Sequence, residues 1–298
     1  METKLYKFSG AGNDFVVIDG REGDVSAFRE VPRIEALCKQ YKTDGLMILG
    51  MPDQVGHDGG STGLSTVMAA PDRPSVDFTM EFYNPDGSGG MMCGNGGRCI
   101  VAFADYLGIR PSCHPALAEG SYLFMAPDGL HTGEILERPE DGLWTVRIKM
   151  IDVQGITPML GGYFLNTGTR HFVKFVDDVE QVDVDAEGKA LRWNEAFAPI
   201  GTNVNFVHVA PDGLHVRTFE KGVEGETLAC GTGLTASAIA AYAAAVIPSD
   251  PSVIPSEAKE SVRLRARQDW LSVNFTPGAD EKFTDVYLTG PARLVEIR

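Results

Sequence analysis

Long apolar runs are missing from this chain: no stretch of about 18 or more hydrophobic residues occurs, so no membrane-spanning helix is expected. Basic charge is scarce as well. Lys and Arg number 26 against 41 Asp and Glu, for a net charge of −15, and no basic stripe interrupts that balance. Such a surface repels a phosphate backbone, so nucleic acid is not an expected partner. Cysteine is sparse and odd in number. The five lie at positions 38, 93, 99, 113 and 230, without a CxxC pair and without clustering with the six histidines. Neither a zinc site nor a disulfide framework reads from that spacing. The opening METKLYKFSGAGNDFVVIDG is charged where a signal peptide would be apolar. A cytoplasmic protein with reduced thiols and no metal is the expectation. No lysine sits in a recognisable pyridoxal-phosphate context, so no cofactor is expected either.

What is present is an ordinary globular composition, 43% hydrophobic and 22% charged over 298 residues, enough for one large domain or two medium ones. Residues 15–18 form a continuous apolar run and read as a strand, as do 46–50. Helical spacing covers 29–41. Residues 51–75, rich in Gly, Ser, Pro and Asp, read as a loop or long hairpin connection. A strand follows and ends in a turn at Asn84-Pro85-Asp86-Gly87. A helix is expected after Cys93, with its stop near Gly108. Hairpins are expected at 121–136 and 142–153, strands over 161–176 and 202–220, and a charged segment at 177–195. The alanine-rich stretch after Cys230 reads as a helix buried all round. Residues 261–275 and 284–298 are strand-like.

Two pieces of chain nearly repeat one another: MMCGNGGRC (91–99) and LACGTGLTA (228–236). Each has a cysteine, then Gly-polar-Gly, then a helix start. Cys38, Cys99 and Cys113 read as small buried hydrophobes. Cys93 and Cys230 read differently, because Gly-polar-Gly leaves N–H groups at a helix N-terminus where a carboxylate binds and a thiolate is favoured. The order hairpins, Cys-Gly-x-Gly, helix, hairpins recurs, which points to two similar α+β halves with an interdomain cleft. Two sulfurs on opposite sides of one carbon could take a proton from one face and return one to the other, inverting a stereocentre. A dithiol redox protein and a non-catalytic small-anion binder are the alternatives.

FSGAGNDFVVIDG (8–20), FYNPDGSGGMMCGNGGRC (82–99), GTNVNFV (201–207) and RTFEKGVEGETLACGTG (217–233) carry a resemblance to the diaminopimelate epimerase family that runs from end to end. The resemblance implies two pseudo-symmetric domains, each an antiparallel β-barrel around a central helix. The halves would be 1–149, with 288–298 returning to it, and 150–287. It implies cofactor-independent interconversion of L,L- and meso-diaminopimelate, a small-molecule substrate of lysine and cell-wall synthesis. Other isomerases of the same fold, proline racemase among them, act on other substrates. Position by position, Cys93 and Cys230 match the acid/base thiols. Gly94 and Asn95, with Gly231 and Thr232, match backbone donors to the reacting carboxylate. Asn13, Asn84 and Asn203 match substrate-holding amides, Glu220 a carboxylate that meets the substrate ammonium, and His171 a histidine beside the site. Whether the chain forms a homodimer is left open.

Three departures from the family pattern bear on the distal end of the substrate and on closure of the site. Lys221 stands where an arginine is usual, keeping the charge without the bidentate fork. Thr169 replaces a substrate-binding asparagine and Arg170 a proline, which makes Arg170 a candidate source of the missing guanidinium. The stretch 38–49 is shorter than the family's Gly-rich loop, which bears on closure of the site.

Overall fold

The computed structural model describes residues 3–21, 23–52, 75–90, 92–114, 117–246 and 261–298. The expected connection at 51–75 therefore lies almost wholly outside the described residues, as does Met91. The chain divides into two compact units, Met1–Ile148 with Pro291–Arg298, and Lys149–Gly290.

Seven consecutive strands make the first unit: β1 (Leu5–Gly10), β2 (Asn13–Asp19), β3 (Gly45–Gly50), β4 (Phe78–Tyr83), β5 (Ser121–Ala126), β6 (Gly129–Glu140) and β7 (Leu143–Lys149). They are hydrogen-bonded in that order. The chain's last strand, β16 (Phe283–Ile297), lies beside β7 and also pairs with β1, Tyr6 opposite Ile297. That pairing closes eight strands into a barrel. Two helices connect parallel neighbours. α1 (Val31–Tyr41) carries the chain from β2 to β3, and α2 (Gly94–Tyr106) lies between β4 and β5. α2 is buried from Gly94 to Ala104 and touches β1, β2, β3 and β6, so the strands wrap it. β2 and β3 are covered on both faces, which is why 15–18 is apolar at every position. Val16, Ile18, Leu46 and Ile48 pack with Ile34 and Leu37 of α1. On the other face of β3, the Met47 sulfur sits 3.4 Å from the place a side chain on Gly96 would occupy.

α1 ends at Lys42, whose left-handed backbone returns the Thr43 N–H to the Cys38 carbonyl. Only Asp44 then precedes β3. It accepts from the Asp14 N–H at 2.9 Å and donates its own N–H to the Asp14 carbonyl at 2.7 Å. The short connection noted at 38–49 is thus a helix cap fastened to β2.

The second unit holds β8 (Ile156–Met159), β9 (Gly162–Asn166), β10 (Arg170–Phe175), β11 (Asn203–Ala210), β12 (Gly213–Glu220), β14 (Ser261–Arg265) and β15 (Trp270–Pro277), followed by the first part of β16. A short strand, β13 (Gly225–Thr227), pairs beside β12. α3 (Val184–Arg192) joins parallel β10 and β11, and α4 (Gly231–Ala243) lies between parallel β12 and β14. α4 is buried at Gly231 and from Gly233 to Ala241, touching β9, β10, β11, β12, β14 and β15. Each unit runs through the same succession: an antiparallel pair, a parallel pair through an outer helix, an antiparallel pair, then a parallel pair through a Cys-capped helix.

The sheets are therefore mixed, not antiparallel as expected, because each helix is a crossover that returns the chain to the end it left. Residues 142–153 are not a second hairpin; β7 pairs with β6 instead. The charged segment 177–195 contains α3, started by the Asp183 side chain accepting the Ala186 N–H at 3.0 Å. Cys113 is exposed, contrary to expectation. It sits on an irregular segment whose flanking Ser112 N–H and His114 ring are both held by the buried Asp77 carboxylate. Among the described residues, no helix is long and apolar enough to cross a membrane.

Candidate active site

Both central helices begin on a cysteine. Cys93 is the N-cap of α2 in an extended conformation, and its Sγ accepts the Gly96 N–H at 3.1 Å. A side chain at Gly96 would come within 3.2 Å of that sulfur, so glycine leaves it room to sit over the first turn. Cys230 is the N-cap of α4, with its Sγ 3.4 Å from the Thr232 Oγ1. Helix geometry aims the N–H groups of Gly94, Asn95, Gly231 and Thr232 beyond the two helix ends, where the dipole favours an anion. The other cysteines of the core differ. Burial pushes the Cys99 and Cys38 thiols up, which keeps them protonated as packing groups.

In the first unit a chain of side chains runs from α2, the helix that Cys93 caps, to β2. The Arg98 side chain, fully buried in α2, donates from Nη2 to Asn95 Oδ1 at 2.9 Å, from Nη1 to the Gly94 carbonyl, and from Nε to the Pro291 carbonyl. Asn95 in turn donates from Nδ2 to Asn13 Oδ1 at 2.6 Å. The guanidinium thus sets the polarity of both amides, and Asn13 presents its NH2 group as a donor. Sequence reasoning missed Arg98; its signal was a basic residue beside Cys99 and ahead of the apolar run 99–104 of the helix. Asn84 is half-buried and held in its own turn, donating from Nδ2 to Ser88 Oγ at 3.0 Å.

In the second unit His171 on β10 has no exposed surface, and burial pushes its pKa down to about 3, against a hydrogen bond with Asn205. The imidazole is neutral at any ordinary pH. Its Nε2 lies 2.9 Å from Thr169 Oγ1 and 3.0 Å from Thr232 Oγ1, and its Nδ1 lies 3.0 Å from Asn205 Nδ2. Asn203 is occupied by backbone: its Oδ1 accepts the Lys221 N–H at 2.8 Å and its Nδ2 donates to the Arg170 carbonyl at 2.9 Å. Glu220 ends β12, half-buried, and the Lys221 side chain beside it is exposed. Arg170 does not supply a free guanidinium. It lies over the Phe164 ring at 5.0 Å and donates to the Phe197 carbonyl. Asn205 was also missed, although it lies two residues from Asn203 and so on the same face of β11. Among the described residues, no three His, Cys, Asp or Glu side chains are grouped to hold a metal ion.

Mixed sheets packed around cysteine-capped helices, the first closed into an eight-stranded barrel, define a class. The fold is shared with a Bacillus anthracis phenazine biosynthesis protein of the PhzF family, at a TM-score of 0.67 and 11% identity, covering 100% of this chain and 99% of that one. It is shared too with a hydroxyproline epimerase from Agrobacterium vitis, at a TM-score of 0.59 and 15% identity, covering 99% and 91%. Within that class the sequence is specific. The diaminopimelate epimerase family model matches residues 163–294. A protein of Flavobacterium psychrophilum named diaminopimelate epimerase is 35% identical over 296 residues, covering 98% of each chain. The chain belongs to the diaminopimelate epimerase family.

Proposed function

We propose that this isomerase interconverts L,L- and meso-diaminopimelate without a cofactor, as a step of lysine biosynthesis, and that Cys93 and Cys230 are its two proton carriers. The observation that carries this reading is that each unit starts its buried central helix on a cysteine followed by Gly-polar-Gly. One sulfur, as thiolate, takes the α-proton. The electron pair left behind is delocalised into the neighbouring carboxylate, whose oxygens gain hydrogen bonds from the helix-terminal N–H groups of Gly94, Asn95, Gly231 and Thr232. The other sulfur, as thiol, delivers a proton to the opposite face. The configuration is inverted and the two sulfurs exchange protonation states. The scheme requires both thiols to reach one α-carbon, so we read the two units as pseudo-symmetric halves that each contribute one thiol.

The Gly96 N–H on Cys93 and the Thr232 hydroxyl on Cys230 both favour thiolate over thiol. Asn13 offers an amide donor suited to a substrate carboxylate, Asn84 and Glu220 offer acceptors suited to an ammonium, and Lys221 offers a single mobile cation for the distal carboxylate. Asn203 contributes chiefly by holding the Lys221 backbone. In deuterated water, turnover of L,L-diaminopimelate should place deuterium at the α-carbon, and Cys93→Ala and Cys230→Ala should each abolish it. Undiminished epimerisation by either variant would sink the two-thiol scheme.

A further inference from the structure

The hydroxyls of Thr169 and Thr232, both beside His171, have hydrogen-bond directions fixed by two amides. Consider Asn205 first. Its Nδ2 lies 3.3 Å from the Phe172 carbonyl and its Oδ1 accepts from Thr218 Oγ1 at 3.0 Å. The carbonyl admits only a donor, so the amide cannot be turned round. A side chain on Gly233 would come within 2.3 Å of Asn205 Oδ1, so α4 presses that amide into place. The same Nδ2 faces His171 Nδ1, which must therefore accept, and the imidazole proton resides on Nε2.

That Nε2–H points at Thr169 Oγ1 and Thr232 Oγ1. Thr169 Oγ1 also receives Asn203 Nδ2 at 3.3 Å, an amide whose direction is set by the Lys221 N–H and the Arg170 carbonyl. With both lone pairs of Thr169 engaged, its own proton goes to Thr232 Oγ1, 3.1 Å away. Thr232 then has its proton to give, and Cys230 Sγ stands 3.4 Å off.

We infer that Thr169 and Thr232 form a one-way hydroxyl relay, oriented by Asn205 through His171 and by Asn203, that ends as a hydrogen-bond donor on the Cys230 sulfur and favours its thiolate. Thr169, which departs from the family pattern at a substrate-binding position, thereby acts as a positioning residue for the thiol. The role of Cys230 in catalysis rests on the reading proposed above; the relay itself does not. The titratable and charged groups on β10 and β12 are Arg170, His171, Lys174, His215, Arg217 and Glu220, and His171 stays neutral throughout. Every variant compared keeps all six, so their influence is constant.

The test reads the thiol directly. Thiolate ultraviolet absorbance is titrated for the full chain, with the Cys230 contribution obtained by subtracting the matching Cys230→Ala protein. Thr169→Val, at an exposed position where folding is not at risk, should raise the Cys230 midpoint by about one pH unit. Thr169→Ser should restore it, and Thr232→Val should raise it at least as far. An unchanged midpoint in Thr169→Val overturns the relay, whatever the activity. Epimerisation is measured alongside. A shifted midpoint in a chain that does not epimerise would sink the functional reading and leave the relay standing, whereas an unshifted midpoint in an active epimerase would do the reverse.

Discussion

A histidine without exposed surface, whose ring nitrogens meet an amide and two hydroxyls, is disfavoured as a cation by its burial. For His171 the linkage is plain. Its folded pKa is pushed down to about 3, while in the unfolded chain it is about 6.5. Below the higher value the unfolded chain takes up a proton that the folded one refuses. The stability that comes from keeping the ring neutral is thus fully present above about pH 6.5 and drains away toward pH 3, by up to about 1.4 kcal/mol per pH unit. Urea unfolding of the wild type and of His171→Gln across that range should give curves of different slope. Parallel curves would show that the buried ring does not carry the effect. The residue scale was also where the sequence spoke most clearly. Cys93 and Cys230 stand out because a near-repeat frames them. Asn205 and Arg98 do not, because their work is to aim other side chains, and aim depends on neighbours brought in from distant strands.

Among the described α-helices, α3 is the one that sequence reasoning passed over. Only Val184, Gly188 and Arg192 of its nine residues are buried, so a short charged helix gives little periodic signal. Its capping was legible: Asp183 ahead of it, acids in its first turn and Lys189 and Arg192 in its last. Gly188 is the informative position. A Cβ there would lie 2.4 Å from that of Phe219 on β12, so glycine lets the helix press against the sheet. Alanine is the better helix former by about 1 kcal/mol, yet Gly188→Ala should destabilise by about 1–3 kcal/mol through overpacking. Chemical denaturation decides the sign, and a stabilised variant would mean that α3 can lift without loss. Strand locations were readable from apolar runs and turn residues. Their parallel or antiparallel sense was not, since it depends on which segments between them become crossover helices.

For the whole molecule, the most consequential strand is β16. Its residues 291–297 complete the first unit against β1, and its earlier residues pair with β15 of the second. Leu294 matters on two edges: its Cα is paired with Phe8, and its N–H donates to the Gly142 carbonyl at 2.8 Å. Leu294→Pro should remove that bond and strain the closure, costing about 3 kcal/mol or more. Amide hydrogen exchange should then speed up in β1 and β7 ahead of the second unit; uniform acceleration throughout would argue that the barrel does not depend on this seam. The same strand sets an order on biosynthesis. Everything else in the first barrel is made before any of the second unit emerges, yet its final stave leaves the ribosome after nearly all of both. An N-terminal half that waits open for its last strand must depend on the rest of the chain, or on cellular holding factors, during every round of translation.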